Sequence, residues 1–567
     1  MSDIIRVNMT SRQVYKEQLP QYDPYGGRQL CARILLDEVK PNCEPLGAMN
    51  KLVFAPGLLA GSIASSASRI SIGGKSPLTN GIKEANSGGT AGFVLARSSI
   101  KAIILEGKNS DGFTWVLFVK DGQAELVRDD TLKLKGTYQT AEILAKRYGS
   151  KNSILCIGPA GERGMSSACI AITDPTGELK YAARGGLGAV MGSKGLKAIV
   201  IEDSGQDGLA YHAKEQFMEL ARTFNKQLID DPKTKSIYQR FGTSGIVKAV
   251  NAMGAFPVNN FRYGSTPHAD KLSGEKLNEL ITARGGEGKL GISCMRGCVI
   301  KCSHSFPDEH GKKIISTLQY ENIALIGSNL GFEDLDPVAR LNWQINDIGM
   351  DAIEAGATLG VALDEGLGQF GSEADCMALL KEIRDNTVLG KVLGHGAWIT
   401  GTVLGSNRIP TAKGQAFPGY DPRALKGNGV TYAMSPMGAD HTAGNCFGAR
   451  NEVNPLGTEG QGVLSNGLQV KMTTLDSLGF CIFARVPLFA DTALLAGLVN
   501  ALTGSSYDGA SIWDIGTATL QWERAFNIAA GLSPAGDKLP EYVYQEPLPP
   551  TDAVFDLTAE EMAKAII

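Results

Sequence analysis

Up to about residue 205 the apolar positions come in short, nearly unbroken runs rather than in spaced pairs. "ARILLDEV", "KLVFAPG", "KAIILEG", "FTWVLFVKDG" and "KAIVIED" are rich in β-branched residues and bounded by Gly, Asp-Gly or Pro. That pattern predicts strands. After "EDSGQDG" the period changes. "LAYHAKEQFMELARTFNKQL" (residues 209–228) and "ADCMALLKEIRDN" (from Ala374) space their apolar residues as an amphipathic helix does. Helical spacing dominates from there to the C-terminus, broken by loops such as "PTAKGQAFPGYDPRALKGNG". The pattern predicts an α+β chain with a β-rich segment over residues 1–205 and mainly helical segments over 206–410 and 411–567.

The strand-rich part contains an internal echo. "GGTAGFVLARSSIKAIILEG" from Gly88 and "RGGLGAVMGSKGLKAIVIED" from Arg184 align at one offset, Gly89 with Gly185, Gly92 with Gly188 and Lys101 with Lys197. A glycine-rich loop leading to an apolar strand, used twice, predicts either two related sites for two similar ligands or a duplication kept for packing alone. Composition agrees: glycine makes up 69 of 567 residues, about 12% against a usual ~7%. The glycines match neither nucleotide fingerprint. Gly192-Ser193-Lys194 separates the Gly-Lys pair that a P-loop needs adjacent. Gly186, Gly188 and Gly192 are one residue too widely spaced for a dinucleotide turn, and a strand follows them where a helix should open.

Charge is nearly balanced, with 55 basic and 59 acidic residues giving −4, and no basic block marks a nucleic-acid surface. The first residues lack the basic start and apolar run of a signal peptide. "LLAGLVNAL" (residues 494–502) is too short to span a bilayer. The expectation is a cytoplasmic protein with no membrane span.

Ten cysteines are too few for a disulfide scaffold of this size, and three of them cluster. "SCMRGCVIKC" holds Cys294, Cys298 and Cys302. On one straight helix the outer two would lie roughly 12 Å apart at about 1.5 Å per residue, so the segment must bend, and Gly297 is the natural place. Thiolates take soft metals, so the readings are an iron–sulfur cluster, zinc, with His304 and His310 near enough in sequence to complete its site, or incidental buried cysteines. The radical enzymes that use S-adenosylmethionine need unequal cysteine gaps, and both gaps here are equal. A fourth thiol is offered by "DSLGFC" (Asp476 to Cys481), whose shape is repeated by "NDIGMD" (Asn346 to Asp351). Two such turns in the helical region match the two glycine loops of the strand region.

These stretches, with "SASRISIGGKSPLTN", "NSGG", "YENIALIGSNLG", "DPRALKGNGVTYAMSPMGADH" and "ERAFNIAAG" in the same order, resemble the tungsten-dependent aldehyde:ferredoxin oxidoreductase family over essentially the whole chain. The resemblance implies a β-rich base under two mainly helical domains, with the cofactors between them. It implies a tungsten or molybdenum ion held by the dithiolenes of two pterins, a [4Fe–4S] cluster, and a magnesium ion bridging the pterin phosphates. Carried over by motif, the cluster ligands are Cys294, Cys298, Cys302 and Cys481. Arg69 bridges cluster and pterin. Asn346, Asp351, Asp476 and Gly479 grip the pterin rings, and Asn86, Gly88, Arg184, Gly185 and Leu187 belong to the phosphate and magnesium loops. Glu321 and His441 match positions beside the metal, His441 to orient or protonate a carbonyl oxygen and Glu321 to activate water or relay a proton. Taken alone, Glu321 reads as a helix-start charge and His441 as a satisfied buried histidine.

Electrons would leave one at a time to a ferredoxin or a small iron–sulfur subunit, and family habit implies a homodimer. The expected reaction is oxidation of a small aldehyde to its carboxylic acid. The runner-up is a catalytic subunit for low-potential reduction of an aromatic ring or an acid, and a non-catalytic zinc scaffold is the alternative of another class. The chain departs from the family pattern in four places. Asn346 stands where an aspartate is usual, the first cysteine gap is one residue longer than in many members, no basic residue closely follows His441, and the chain is shorter than many relatives.

Overall fold

The computed structural model describes residues 3–567. They form two compact units, neither a single continuous stretch. Among the described residues the first comprises 3–235, 293–301 and 470–532, and the second 236–292, 302–469 and 533–567.

The first unit is built on twelve strands. These are β1 (Asp3–Asn8), β2 (Gln13–Glu17), β3 (Leu52–Pro56), β4 (Ile70–Lys75), β5 (Ile82–Ser87) and β6 (Ile100–Glu106), then β7 (Trp115–Lys120), β8 (Gln123–Arg128), β9 (Ser153–Cys156), β10 (Ile170–Thr173), β11 (Leu179–Ala182) and β12 (Leu196–Ile201). One sheet runs β2-β1-β6-β3-β4-β5 and the other, taken from its far edge, β8-β7-β12-β9-β10-β11. Each strand of the second sheet stands where its counterpart six places earlier stands in the first. Both sheets have one parallel pairing, β1 with β6 and β7 with β12, and are otherwise antiparallel. The glycine echo seen in the sequence is thus one part of a duplicated six-stranded unit.

The two sheets share a core in which Ile5, Phe54, Ile72 and Leu105 of one pack with Leu117, Leu155, Ile172 and Ile199 of the other. Each such side chain contributes roughly 1.5–3 kcal/mol on burial. The second face of each sheet is covered as well. Ala102 and Ile104 pack with Leu30, Ile34 and Leu35 of the helix Gly27–Glu38, and Ala198 and Val200 pack with Leu144 of the helix Thr137–Tyr148. Strands buried on both faces carry apolar residues at every position, and this is why "KAIILEG" and "KAIVIED" read as continuous runs.

Two expectations are corrected. "ARILLDEV" lies in the helix Gly27–Glu38, not in a strand. Leu30 and Ile34, and Cys31 and Leu35, are each four apart, so they stack on the helix surface facing the sheet. The second glycine loop opens onto a short helix, Leu187–Ser193, before β12 begins, just as the first opens onto Ala91–Arg97 before β6.

The second unit is mainly helical, with Leu335–Ile348, Ala352–Asp364, Glu373–Asp385 and Ala397–Leu404 among its longer helices, and it carries a small sheet of Lys289–Ile292, Ser303–Pro307 and Lys313–Ile315. The chain is therefore α+β, sheet-built at its N-terminal end and mainly helical after it. Among the described residues no single helix is long and apolar enough to cross a membrane.

Candidate cofactor-binding and active-site elements

In the first unit the turn after the helix Gln461–Leu478 is clamped by backbone. Leu58 and Leu59 donate to the carbonyls of Ser477 and Leu478 at 3.0 Å each, Arg69 N–H to Gly479 O at 3.0 Å, and Cys481 N–H to Ser66 O at 2.8 Å. Gly479 adopts φ +90°, and a Cβ on Gly57 would fall 2.1 Å from its Cα. Only two glycines permit so close a crossing. The same turn geometry recurs at Gly349 in the second unit. Gly349 and Met350 both donate to Ile345 O, as Gly479 and Phe480 both donate to Leu475 O. This left-handed helix ending sets Asn346 and Asp476 in matching last turns, both buried. Asp351 then starts the next helix, its carboxylate accepting from Ile353 N–H at 3.0 Å.

Asp476 joins several sequence-predicted residues. Its carboxylate accepts from Asn86 Nδ2 at 3.0 Å, and Arg69 in turn donates to the Asn86 side chain and, at 3.1 Å, to the Asn86 carbonyl. Its other oxygen lies 3.4 Å from the Arg28 guanidinium, which binds Glu523 through two contacts of 2.8 Å. Sequence reasoning missed Arg28 and Glu523. The only signal for either was a charge inside an apolar helix, "GGRQL" and "ERAFN".

Glu84 was missed too. It is buried on β5, on the same face as Asn86, and its Oε1 has no hydrogen-bond partner among the described residues. Burial pushes its carboxyl up, to about 8, and the Asp476 charge adds to this, while Arg28 opposes it. A carboxyl with a raised native value holds its proton in the folded state where the unfolded chain releases it. Its contribution to stability is therefore complete below pH 4.5 and is lost as pH climbs toward 8. The unfolding temperature of Glu84→Gln should consequently fall less across that window than that of the unmodified protein. Parallel curves for the two would refute the assignment.

The thiols of Cys294, Cys298 and Cys481 are close enough to act on one another. Burial pushes the Cys294 thiol up to about 12, with the other two adding to it and Lys180 and Arg69 opposing. Gly88 makes room for Cys294, since a Cβ there would lie 3.0 Å from its sulfur, and Gly89 N–H donates to the Cys294 carbonyl at 2.7 Å. Gly297 takes φ +72° and supplies the bend that the spacing demanded. Cys302 falls in the second unit, its carbonyl against Gly242. Zinc needs ligand atoms about 2.3 Å from one point, and among the described residues no three His, Cys, Asp or Glu side chains converge so. His304 accepts instead from Leu318 N–H at 3.0 Å, and His310 is exposed beside Glu309.

The second glycine loop puts Gly185 at φ +82° and Gly186 at +74°, with the Ser76 hydroxyl donating to Gly185 O at 2.7 Å. Arg184 and Leu187 are buried beside them. A Cβ on Gly185 would strike the Lys83 stem at 2.3 Å, so the β5 strand that leads to Asn86 and Gly88 abuts the Arg184 loop. Lys83, fully buried there, is a further cation that sequence reasoning did not single out.

In the second unit Glu321 and His441 meet. Glu321 Oε1 lies 3.5 Å from His441 Nε2, and its Oε2 accepts from Gly419 N–H at 2.7 Å. The Tyr320 hydroxyl donates to the Gly419 carbonyl. A Cβ on Gly419 would sit 2.6 Å from Ala324 Cβ and 3.2 Å from the Glu321 carboxylate, so the strap that orients Glu321 tolerates no side chain. His441 Nδ1 is buried without a hydrogen-bond partner among the described residues. Tyr420 packs against His441 with ring centres 6.0 Å apart and against Phe447 at 6.2 Å, which gives the pair an aromatic surround.

The donor set suits the groups that the resemblance implies. Mutually destabilised buried thiols favour a metal–sulfur centre, carboxylate and amide oxygens suit ring N–H groups, and glycines without side chains let a phosphate approach the backbone closely.

Comparison with known proteins agrees over the full length. Residues 4–203 match the aldehyde ferredoxin oxidoreductase N-terminal domain, and residues 219–566 match domains 2 and 3 of the same family. The tungsten-containing aldehyde ferredoxin oxidoreductase of Pyrococcus furiosus is 32% identical over 96% of this chain and 91% of its own length. That of Thermococcus kodakarensis is 31% identical with the same coverage. The aliphatic sulfonate oxidoreductase WOR-like subunit of Pyrococcus furiosus is 26% identical over 80% of this chain and 76% of its own. The active-site complex BamBC of benzoyl coenzyme A reductase with 1,5-dienoyl-CoA shares the fold, with TM-score 0.81 at 20% identity, covering 100% of this chain and 93% of that one. The chain is an oxidoreductase of the aldehyde ferredoxin oxidoreductase family.

Proposed function

We propose that this protein oxidises a small aldehyde to its carboxylic acid and passes the electrons through a [4Fe–4S] cluster to a ferredoxin or a small iron–sulfur subunit. The observation that carries the reading is the Glu321–His441 pair, one carboxylate oxygen fixed by Gly419 and the other turned to the imidazole.

The reaction adds an oxygen from water and removes two electrons and two protons in all. A bis-pterin tungsten or molybdenum ion, when bound, supplies the acceptor for the electron pair. The chain supplies the proton handling. Glu321, held by the Gly419 N–H, takes a proton from water. His441, with Nε2 3.5 Å from the Glu321 carboxylate, directs an N–H to the substrate oxygen. Tyr420 and Phe447 shield the pair from bulk water, which strengthens both interactions.

Asn346, Asp351, Asp476 and Gly479 hold the pterin rings. Asn86, Gly88, Arg184, Gly185 and Leu187 serve the phosphates and their magnesium ion, with Arg69 between pterin and cluster. Cys294, Cys298, Cys302 and Cys481 ligate the cluster. An amide at Asn346 binds ring N–H groups through its oxygen but brings no charge.

Elemental analysis of anaerobically purified protein is the direct test. The expected content is about four irons and about one tungsten or molybdenum per chain, followed by aldehyde-dependent reduction of a viologen dye. Zinc without either heavy metal would refute the assignment. Full metal content without aldehyde turnover would move it to a low-potential reductase.

A further inference from the structure

We propose that Ser66 tunes the reduction potential of the iron–sulfur cluster through a hydrogen bond from its hydroxyl to the sulfur of Cys298. The inference rests on the assignment of Cys298 as a cluster ligand given above. The Ser66 Oγ lies 3.3 Å from Cys298 Sγ, and both residues are buried.

The arrangement around this contact is fixed from several sides. Ser66 has φ +61°, a left-handed conformation that a serine seldom adopts and a glycine or asparagine takes readily. Its carbonyl accepts from Cys481 N–H at 2.8 Å, so one residue touches two of the four proposed ligands. On the other strand of the contact, Val299 N–H donates to the Ser65 hydroxyl at 3.1 Å and the Ser293 hydroxyl donates to Cys298 O at 3.0 Å. Ser65 is itself tied to Asn225, whose side-chain oxygen accepts from Ser65 N–H at 2.7 Å. The Ser65 hydroxyl, 3.3 Å from that of Ser66, can donate to it and leave the Ser66 proton for sulfur. A hydroxyl so enclosed has no water to turn to.

A donor on a ligand sulfur draws charge from it. Reduction adds an electron to the cluster and makes that sulfur more negative, so the bond is stronger in the reduced state and the potential rises. Burial leaves the effect unscreened by solvent.

The test is an EPR-monitored redox titration of the anaerobic holoenzyme and three variants. Ser66→Gly removes the hydroxyl yet suits the left-handed backbone, Ser66→Ala removes it while keeping a Cβ, and Ser65→Ala removes a neighbouring hydroxyl that makes no bond to sulfur. Both Ser66 variants should retain the iron. At a fixed potential their reduced-to-oxidised ratio should fall about threefold to tenfold, a midpoint lower by up to about 59 mV for a one-electron couple. Ser65→Ala, which keeps the Ser66 hydroxyl but loses the group that orients it, should shift the midpoint less than either Ser66 variant. Pulsed EPR of the reduced unmodified cluster, compared in H2O and D2O, should show an exchangeable proton that is missing from the Ser66 variants. A Ser66 variant with full iron and an unshifted midpoint overturns the proposal, as does an exchangeable-proton signal that survives Ser66→Ala. Absence of iron from the unmodified protein would instead defeat the cluster assignment, which separates the two failures.

Discussion

Replacing Glu321 with glutamine should lower kcat for aldehyde oxidation by about 10²–10⁴-fold, the range a positioned general base contributes. The substitution is nearly isosteric. The amide oxygen of glutamine can still accept from Gly419 N–H, so the 2.7 Å contact that orients the side chain persists. The amide can still meet His441 across the 3.5 Å gap, and His441 remains free to engage substrate. What disappears is the ability to accept a proton. KM should therefore change little while kcat collapses, and metal content should equal that of the unmodified enzyme. Steady-state viologen reduction on metal-matched samples decides the matter. A variant that keeps its kcat would remove Glu321 from the chemistry and leave it as the helix-start charge that a plain reading of the sequence allows.

Replacing Arg28 with methionine should destabilise the protein by about 3–5 kcal/mol, the cost of breaking a buried ion pair from one side. Arg28 and Glu523 are buried and joined by two contacts, with Asp476 at 3.4 Å on the same guanidinium. Burial alone would pull the Arg28 charge down, and Glu523 and Asp476 more than reverse it. With the cation gone, Glu523 is left as an uncompensated charge, and Asp476 loses one of the two groups that aim it. Denaturant unfolding would show the midpoint falling with an unchanged slope. The double variant Arg28→Met with Glu523→Leu should recover much of the loss, because no buried charge then remains. If the single variant unfolds like the unmodified protein, the pair carries none of this energy. If the double variant is no better than the single one, lost packing rather than stranded charge is the cause.

Much of this was legible in the sequence, but unevenly. The strands of the N-terminal unit announced themselves because their β-branched runs are bounded by glycine. The Gly297 bend followed from cysteine spacing alone, since three thiols cannot serve one compact centre along a straight helix. The helix Gly27–Glu38 was misread. Its apolar run Ala32–Leu36 is broken only by Arg33, and this hid the i, i+4 spacing of Gln29, Arg33 and Asp37 that marks its polar side. The Arg28–Glu523 pair could not be read, because 495 residues separate its members and nothing in "ERAFNIAAG", which Glu523 opens, points to Arg28. Ser66 was invisible for another reason. Its importance lies in a backbone angle, and nothing in the letters "ASSAS" tells which serine turns left-handed. Glu84 stood beside the "NSGG" motif but drew no attention, since its meaning depends on Asp476 arriving from a distant helix.

The doubled sheet has a consequence for the order in which the protein can be made. In each sheet the strand synthesised last does not join an edge. β6 inserts between β1 and β3, and β12 between β7 and β9. Neither sheet can close on the ribosome before its sixth strand has emerged, and loops of about a hundred residues must then be gathered at an entropic cost that slows the step. The grip on Asn86 and Arg28 comes later still, with the segment 470–532. The contacts of Asp476 with Asn86 and Arg28 therefore form only once nearly the whole chain has been translated. A nascent chain stalled before Asp476 would hold Asn86 and Arg28 without the carboxylate that joins them.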